Sequence, residues 1–421
     1  MSARPRVTMH ASELAGRRLL VLGTWDMRES ALASWAELGI EVTLVDQHAG
    51  ERDGPAARRL ELNVWDNAAP SAGRLGRLAS TADGVVTLAE FCTVTAACAA
   101  QDAGLPGPGS TAAMLARDKI ALRRRLAATE LPGPRFAAVR DEHDIAEFFR
   151  VNPGAAVLKP ADSAGSTAVF QVGSVAEAAA ALPRALRWSF SGQAILEQFI
   201  PGPEFSVEAF VHHGATSVVA IVEKATVPQR FVEYRHLVPA QTTAAQSAAL
   251  TRAAESVVGA LGVQTAVVHA EFRLGPDGFV LIEIAVRPAG GLIPDLLRLG
   301  LGIDLYGAQA ALAFGLPPEL RRSDGPACAG VQFVTGTGTI QRVVSSEAFL
   351  EDHPGVDRAG QLLPPGTEIP ELDTNGTRAA FVMAAAESRG ALCRLLEVSS
   401  IDLAVRMGLT PAMAGLGSDT P

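Results

Sequence analysis

The stretch from Val267 to Gly291, VVHAEFRLGPDGFVLIEIAVRPAGG, limits the fold of this chain more than any other. Two runs of β-forming residues flank Gly275-Pro276-Asp277-Gly278, whose Pro, Asp and Gly favour a tight turn. The spacing predicts a hairpin. Glu271 falls near the end of the first strand's apolar run, and Glu283 falls inside the second, with apolar neighbours on both sides. A carboxylate so placed is mostly buried and needs a partner. Two of them on adjacent strands repel unless a cation lies between, which is the layout of a hard-cation site built from oxygen donors. Arg287 follows, ahead of Pro288 and Gly290-Gly291. An arginine just past such a site can grip an anion through both prongs of its fork.

Such a hairpin needs a large body around it. The chain has 421 residues, 48% of them hydrophobic, which is enough for two or three domains with their own cores. A net charge of −9 argues against a nucleic-acid partner. Cys92, Cys98, Cys328 and Cys393 form no CxxC pair and no zinc spacing, so they read as reduced, mostly buried thiols of a cytoplasmic protein. No apolar run is long enough to span a membrane, and MSARPRVTMHASELAG lacks the apolar core of a signal peptide.

Residues 18–46 read strand–helix–strand, a βαβ unit and hence a parallel sheet. The turn GTWDMRE lacks the glycine fingerprint of a dinucleotide site. A later strand, GVVTLAE, is expected to end at Glu90. Ligands of open α/β sheets sit beyond the carboxyl ends of strands, so Glu90 faces either a pocket or solvent. LPGPGS closes this domain. Next, TAAMLARDKIALRRRLAATE reads as one helix carrying Lys119, broken by Pro132 and Pro134.

In AAVLKPADSAGSTAVF, Lys159 ends an apolar strand, with its stem buried and its head at the rim. Ser163, Gly165 and Ser166 follow in a small polar loop whose N–H groups can cradle phosphate. In AILEQFIPGPEFSVEAFV, Glu197 and the backbone of Phe199 and Ile200 offer what a nucleotide base needs: an apolar slot, an acceptor and an N–H. Glu204 and Glu208 come next, and alternation along the strand turns Glu208 toward solvent or a lysine. FVEYRHLVP sets Glu233 and His236 three apart. The carboxylate suits a substrate ammonium, and the imidazole can accept or shuttle a proton. TTAAQSAALTRAAESVVGALG is an amphipathic helix capped by Gly262, and a helical pair around Gly300 to Gly302 packs behind the site. From about residue 325 the pattern is mixed strand and helix with no evident chemistry, and the Gly/Ala/Pro-rich tail after Leu409 is expected to be loose.

Taken in order (lysine, lysine with glycine loop, glutamate hinge, then Glu…Glu…Arg) these motifs resemble the ATP-grasp superfamily, and more narrowly its carboxylate–amine ligases. FxExxHxxP is similar to the substrate loop of the L-amino-acid ligases, the dipeptide-forming branch. The resemblance spans residues 85–295. It covers the first domain by fold pattern only and the last hundred or so residues weakly.

The resemblance implies an α/β chain with the ATP-grasp fold, its nucleotide clamped between two lobes. Residues 1–110 would be an N-terminal parallel α/β domain, 111–200 the linker helix and small lobe, 201–324 the large lobe with the metal hairpin, and 325–421 a mixed C-terminal lobe. ATP would meet Lys119 at the α-phosphate, then Lys159, Ser163, Gly165 and Ser166. The base would meet Glu197, Phe199 and Ile200, and the ribose Glu204. Glu271 and Glu283 would hold Mg2+ or Mn2+. Glu90, Glu233, His236, Arg287 and Gly290 would bind substrate, with Arg287 and Lys159 catalytic. The implied partners are a small carboxylate and an amine, with neither nucleic acid nor membrane; a homodimer is compatible with this.

Two positions depart from the family pattern. Ala285 stands where many members carry an asparagine that helps bind a second cation. Gly291 stands where many carry a bulky residue, which predicts room for an acyl group larger than that of alanine. Two rival readings are an ATP-grasp phosphotransferase and a non-catalytic nucleotide-binding module.

Overall fold

A computed structural model describes residues 4–8, 11–24, 28–47, 57–66, 72–129, 131, 133–323, 328–369 and 374–411. The turn at residues 25–27, the helix end at Glu130 and Pro132, and the tail after 411 lie outside the described residues.

The first domain is built on a parallel sheet, as the βαβ pattern predicts. Arg18–Leu22 lies between Glu41–Asp46 and Gly84–Val86, and Ala57–Glu61 lies outside Glu41–Asp46. The strand leading to Glu90 is shorter than expected and ends at Val86. Thr87 turns the chain: its hydroxyl donates to the Leu22 carbonyl and accepts from the Ala89 N–H. Glu90 therefore opens a short 3-10 turn, Glu90–Cys92, beyond the sheet's carboxyl edge rather than ending a strand.

The helix carrying Lys119 is also divided. Ser110–Arg117 stops at Asp118, whose carboxylate caps the following helix, Lys119–Ala127, by accepting from the N–H groups of Ile120 and Ala121 at 2.8 and 3.1 Å. The break buries Lys119 instead of leaving it on a solvated face. Beyond it, the small lobe is an antiparallel sheet in the order Phe136–Val139, Ala194–Gln198, Ala156–Pro160, Phe170–Val172. Helices Glu142–Val151 and Val175–Arg187 pack against it around Ile145, Phe148 and Leu196. Asp162 fixes the base of the glycine loop: it accepts from the Ser189 hydroxyl and from the N–H groups of Phe190 and Ser191, at 2.7 to 2.9 Å.

The large lobe is an eight-stranded antiparallel sheet. Its order is Gly278–Ala285, Ala266–Gly275, Glu204–His212, Ala215–Thr226, Glu233–Val238, Cys328–Phe333, Ala380–Ala386, Val356–Gln361. The hairpin forms one edge. The strands after residue 325 continue the same sheet, so the expected boundary at 324/325 falls inside it. Helix Ala244–Leu261 buries Leu250, Val257 and Val258 against Phe272 and Ile284, and ends at Gly262 in the left-handed conformation, as its sequence predicts. Helix Ile293–Leu301 packs on the sheet, and Leu305–Ala313 reaches the first domain, where Trp35 donates to the Tyr306 carbonyl at 2.9 Å. Where the first domain meets the small lobe, Trp65 stacks on Phe91 at 5.4 Å and Phe190 meets both rings edge-on. Among the described residues, no helix is long and apolar enough to cross a membrane.

Candidate active site

Between the lobes lies an open cleft. Its walls unite Lys119, Lys159, Ser163, Gly165, Ser166, Glu197, Phe199, Ile200, Glu204, Glu233, Glu271 and Glu283, which are far apart in the chain. Phe231, the first residue of the FxExxHxxP segment, also lines it, as does Arg273, to which the sequence reading gave no role. Glu90, His236, Arg287 and Gly290 lie outside this lining.

On the small-lobe side, burial of charge is compensated pair by pair. Glu197 binds Arg123 at 2.6 Å and Lys159 at 2.8 Å. Burial alone would push its carboxyl up, but the two cations hold it down at about 2. The Glu197 carboxylate is thus the anchor of two cations. Burial pushes the Lys159 ammonium down despite Glu197 beside it. Lys119 donates to the Ser163 carbonyl at 2.8 Å and reaches Glu283 at 3.3 Å, so it bridges glycine loop and hairpin. At the hinge, the Phe199 N–H donates to Ala155 and the Ile200 carbonyl accepts from Arg273. Arg273 also holds Glu204 at 3.1 Å and lies over the rings of Phe199 and Phe231.

On the large-lobe side, Glu271 and Glu283 are paired across the hairpin, with a register shift directly after Glu271. They offer oxygen alone and line the cleft beside two lysines, a donor set that fits a hard divalent cation. Ala285 is buried and supplies no ligand, as its side chain requires. An internal cation is also present. Lys224 approaches Glu271 at 2.5 Å, Glu233 at 2.6 Å and Glu204 at 3.4 Å. Burial opposes its charge, but those carboxylates hold it well above the ordinary lysine range. His269 bridges Glu208 at 2.8 Å and Glu271 at 2.9 Å. Burial pulls it down, yet Glu208 and Glu271 push it up to about 10, so it is an imidazolium near neutrality. Glu208 is fully buried between Ser206 and His269 and faces neither solvent nor a lysine: successive residues of its strand from Glu204 to Val211 are all buried, so both faces are covered.

The remaining expected substrate residues form two groups. Arg287 binds Glu90 at 2.6 Å and its own neighbour's carbonyl, Pro288, at 2.6 Å. Burial pushes Glu90 up, but Arg287, Arg117 and Lys119 outweigh it and lower its carboxyl. Glu233 and His236 meet each other at 2.9 Å, and the ammonium beside Glu233 is that of Lys224. The other ring nitrogen of His236 faces the Gly291 carbonyl at 3.0 Å, which can only accept, so Nδ1 carries a proton. This contact overturns the expected room at Gly291. A Cβ there would lie 2.7 Å from His236 Cε1, whereas one on Gly290 would meet open space.

The ATP-grasp domain family matches residues 153–295. Over 413 residues the chain is 27% identical to an uncharacterized protein of Sinorhizobium fredii, covering 95% of this chain and 85% of that one. It is 30% identical to the D-alanine–D-alanine ligase of Gloeobacter violaceus over 221 residues, which are 48% of this chain and 70% of the ligase. An L-amino acid ligase from Bacillus licheniformis superposes with a TM-score of 0.78 over 91% of this chain and 97% of that one; at 23% identity this likeness speaks to the fold. The chain belongs to the ATP-grasp carboxylate–amine ligases, enzymes that form C–N bonds.

Proposed function

We propose that the protein joins a carboxylate, in our reading that of an amino acid, to an amine, with ATP converted to ADP and phosphate. The observation that carries this reading is the convergence of Lys119, Lys159, the glycine loop, Glu271 and Glu283 on one cleft. In this reading residues 1–110 present Glu90, residues 111–200 and 201–324 form the two jaws, and residues 325–421 brace the second jaw.

The chemistry follows from charge. A carboxylate oxygen attacks the γ-phosphorus of ATP, giving an acyl phosphate and ADP. Both reactants are anions, so Lys119, Lys159 and Arg287 screen them as they approach. A divalent ion such as Mg2+ or Mn2+, held by Glu271 and Glu283, supplies further neutralisation of phosphate oxygens when bound. The amine then attacks the acyl carbon, phosphate leaves with the electron pair of the C–O bond, and the nitrogen gives up a proton to the departing phosphate or to water as the amide forms. Arg287 stabilises the tetrahedral oxyanion, and Glu90 and Gly290 shape the acid's side of the site. Ser163, Gly165 and Ser166 cover the phosphates and exclude water. Glu204 meets the ribose, and the Glu197–Ile200 hinge frames the base. Glu233 acts through Lys224 and His236, orienting them beside the incoming amine.

Phosphate release from MgATP, measured across a matrix of carboxylates and amines that includes the amino acids, tests this. Release that requires two substrates together supports the ligase and identifies both. ADP formed without phosphate would replace it with a phosphotransferase. MgATP binding without turnover across a broad panel would favour a binding module, the reading that buried Ala285 supports.

A further inference from the structure

The sequence shows no chemistry after residue 325, yet the fold brings part of that region against two segments that line the cleft. Thr374–Arg378 forms a tight turn, with the Thr374 hydroxyl accepting from the Gly376 N–H at 3.1 Å. Asn375 faces two loops at once. Its backbone N–H donates to the carbonyl of Gly165 in the glycine loop at 3.0 Å. Its side-chain oxygen accepts from the backbone N–H of Glu233 at 3.1 Å. Arg378 steadies the turn from below: its Nε donates to the Asn375 carbonyl at 2.9 Å, and its guanidinium lies 3.8 Å over Phe333.

The glycine loop is anchored at its start, by Lys119 on the Ser163 carbonyl and by Asp162 at its base, and needs fastening further along. It is built of Ser, Ala, Gly and Thr, with left-handed backbone at Gly165, Ser166 and Ala168. Non-glycine residues hold that conformation only where their surroundings fix it. Beyond those anchors, the Ser166 hydroxyl donates to the Phe231 carbonyl at 2.8 Å, which leads to the same segment that carries Glu233.

We propose that Asn375 is a positioning residue which clips the glycine loop to the Glu233 strand, so that the phosphate cover and the amine side of the cleft close as one body. This rests on the ligase reading only in taking the loop as a phosphate cover. An acyl phosphate exposed by a loop that opened on its own would be lost to water, and the clip ties closure to the acceptor site. Asn is suited to the task because its side chain accepts while its backbone donates. Alanine keeps the backbone bond and deletes the other, and aspartate keeps the acceptor.

The test is amide hydrogen exchange on the full chain with and without saturating MgADP, in wild type, N375A and N375D, alongside thermal unfolding. The expected result is MgADP-dependent protection of residues 163–167 and of Glu233 together in wild type. N375A should reduce both, by about three- to tenfold for one lost hydrogen bond, with an unchanged melting temperature and recovery in N375D. With the substrate pair found in the phosphate-release matrix, N375A should also raise phosphate release relative to amide formed. Wild-type protection that persists in N375A, or a loss as large in N375D, would overturn the clip and leave the ligase reading intact. A wild type without any MgADP response would overturn both.

Discussion

Glu197 shows what a single side chain settles in this site. Its carboxyl titrates near 2 in the fold against 4.5 when free, so its pairing with Arg123 and Lys159 stabilises the protein fully above about pH 4.5. That contribution fades as the pH falls toward 2. Glu197→Gln should lower the unfolding free energy at neutral pH by about 3–5 kcal/mol, because two buried cations lose their partner. It should also flatten the acid limb of the stability profile; an unchanged urea midpoint would refute the assignment. Glu271→Gln and Glu283→Gln should each reduce ATP turnover by at least about a hundredfold, measured as phosphate release, whereas near-normal turnover in both would remove the metal assignment. These two carboxylates were legible because apolar letters surround them. Lys224, Arg123 and His269 were not. A lone basic residue on a strand or helix reads the same whether it meets solvent or three carboxylates, and only the register of distant strands decides.

The hairpin and the loop after it work as one element. Gly291 has a φ of 60° and packs against His236, which in turn orients Glu233. Gly291→Ala should therefore cost about 1–3 kcal/mol of stability from backbone strain and displace His236. Comparing urea midpoints of G291A and G290A checks this: Gly290 borders open space, so its alanine variant should stay near wild type in stability, and equal losses would refute the packing argument. The hairpin turn and the Gly262 helix end were legible from Pro, Asp and Gly alone. The break at Asp118 was missed because apolar spacing continues across it. An aspartate with free N–H groups two and three residues on is a capping signal that could have found it.

At the scale of the whole molecule, the eight-stranded sheet makes the last hundred residues inseparable from the Glu271–Glu283 hairpin. Ending the chain at residue 324 would strip Cys328–Phe333 from the Glu233–Val238 strand and expose Leu237 and Val238 beside an open edge. Such a chain should lose its cooperative unfolding and its MgADP binding, as followed by circular dichroism and calorimetry; a folded, nucleotide-binding fragment would show that the sheet is divisible. The sequence suggested a boundary there because a sheet strand returning from far along the chain leaves no local mark. The aromatic trio at the seam has an optical consequence. Trp65 stacks on Phe91 of its own domain and meets Phe190 of the small lobe, whereas Trp35 is sealed in the first domain's core. Any swing of the small lobe changes the surroundings of Trp65 and leaves Trp35 sealed, so with Trp25 and the exposed Trp188 replaced by phenylalanine the protein would carry its own fluorescent gauge of closure.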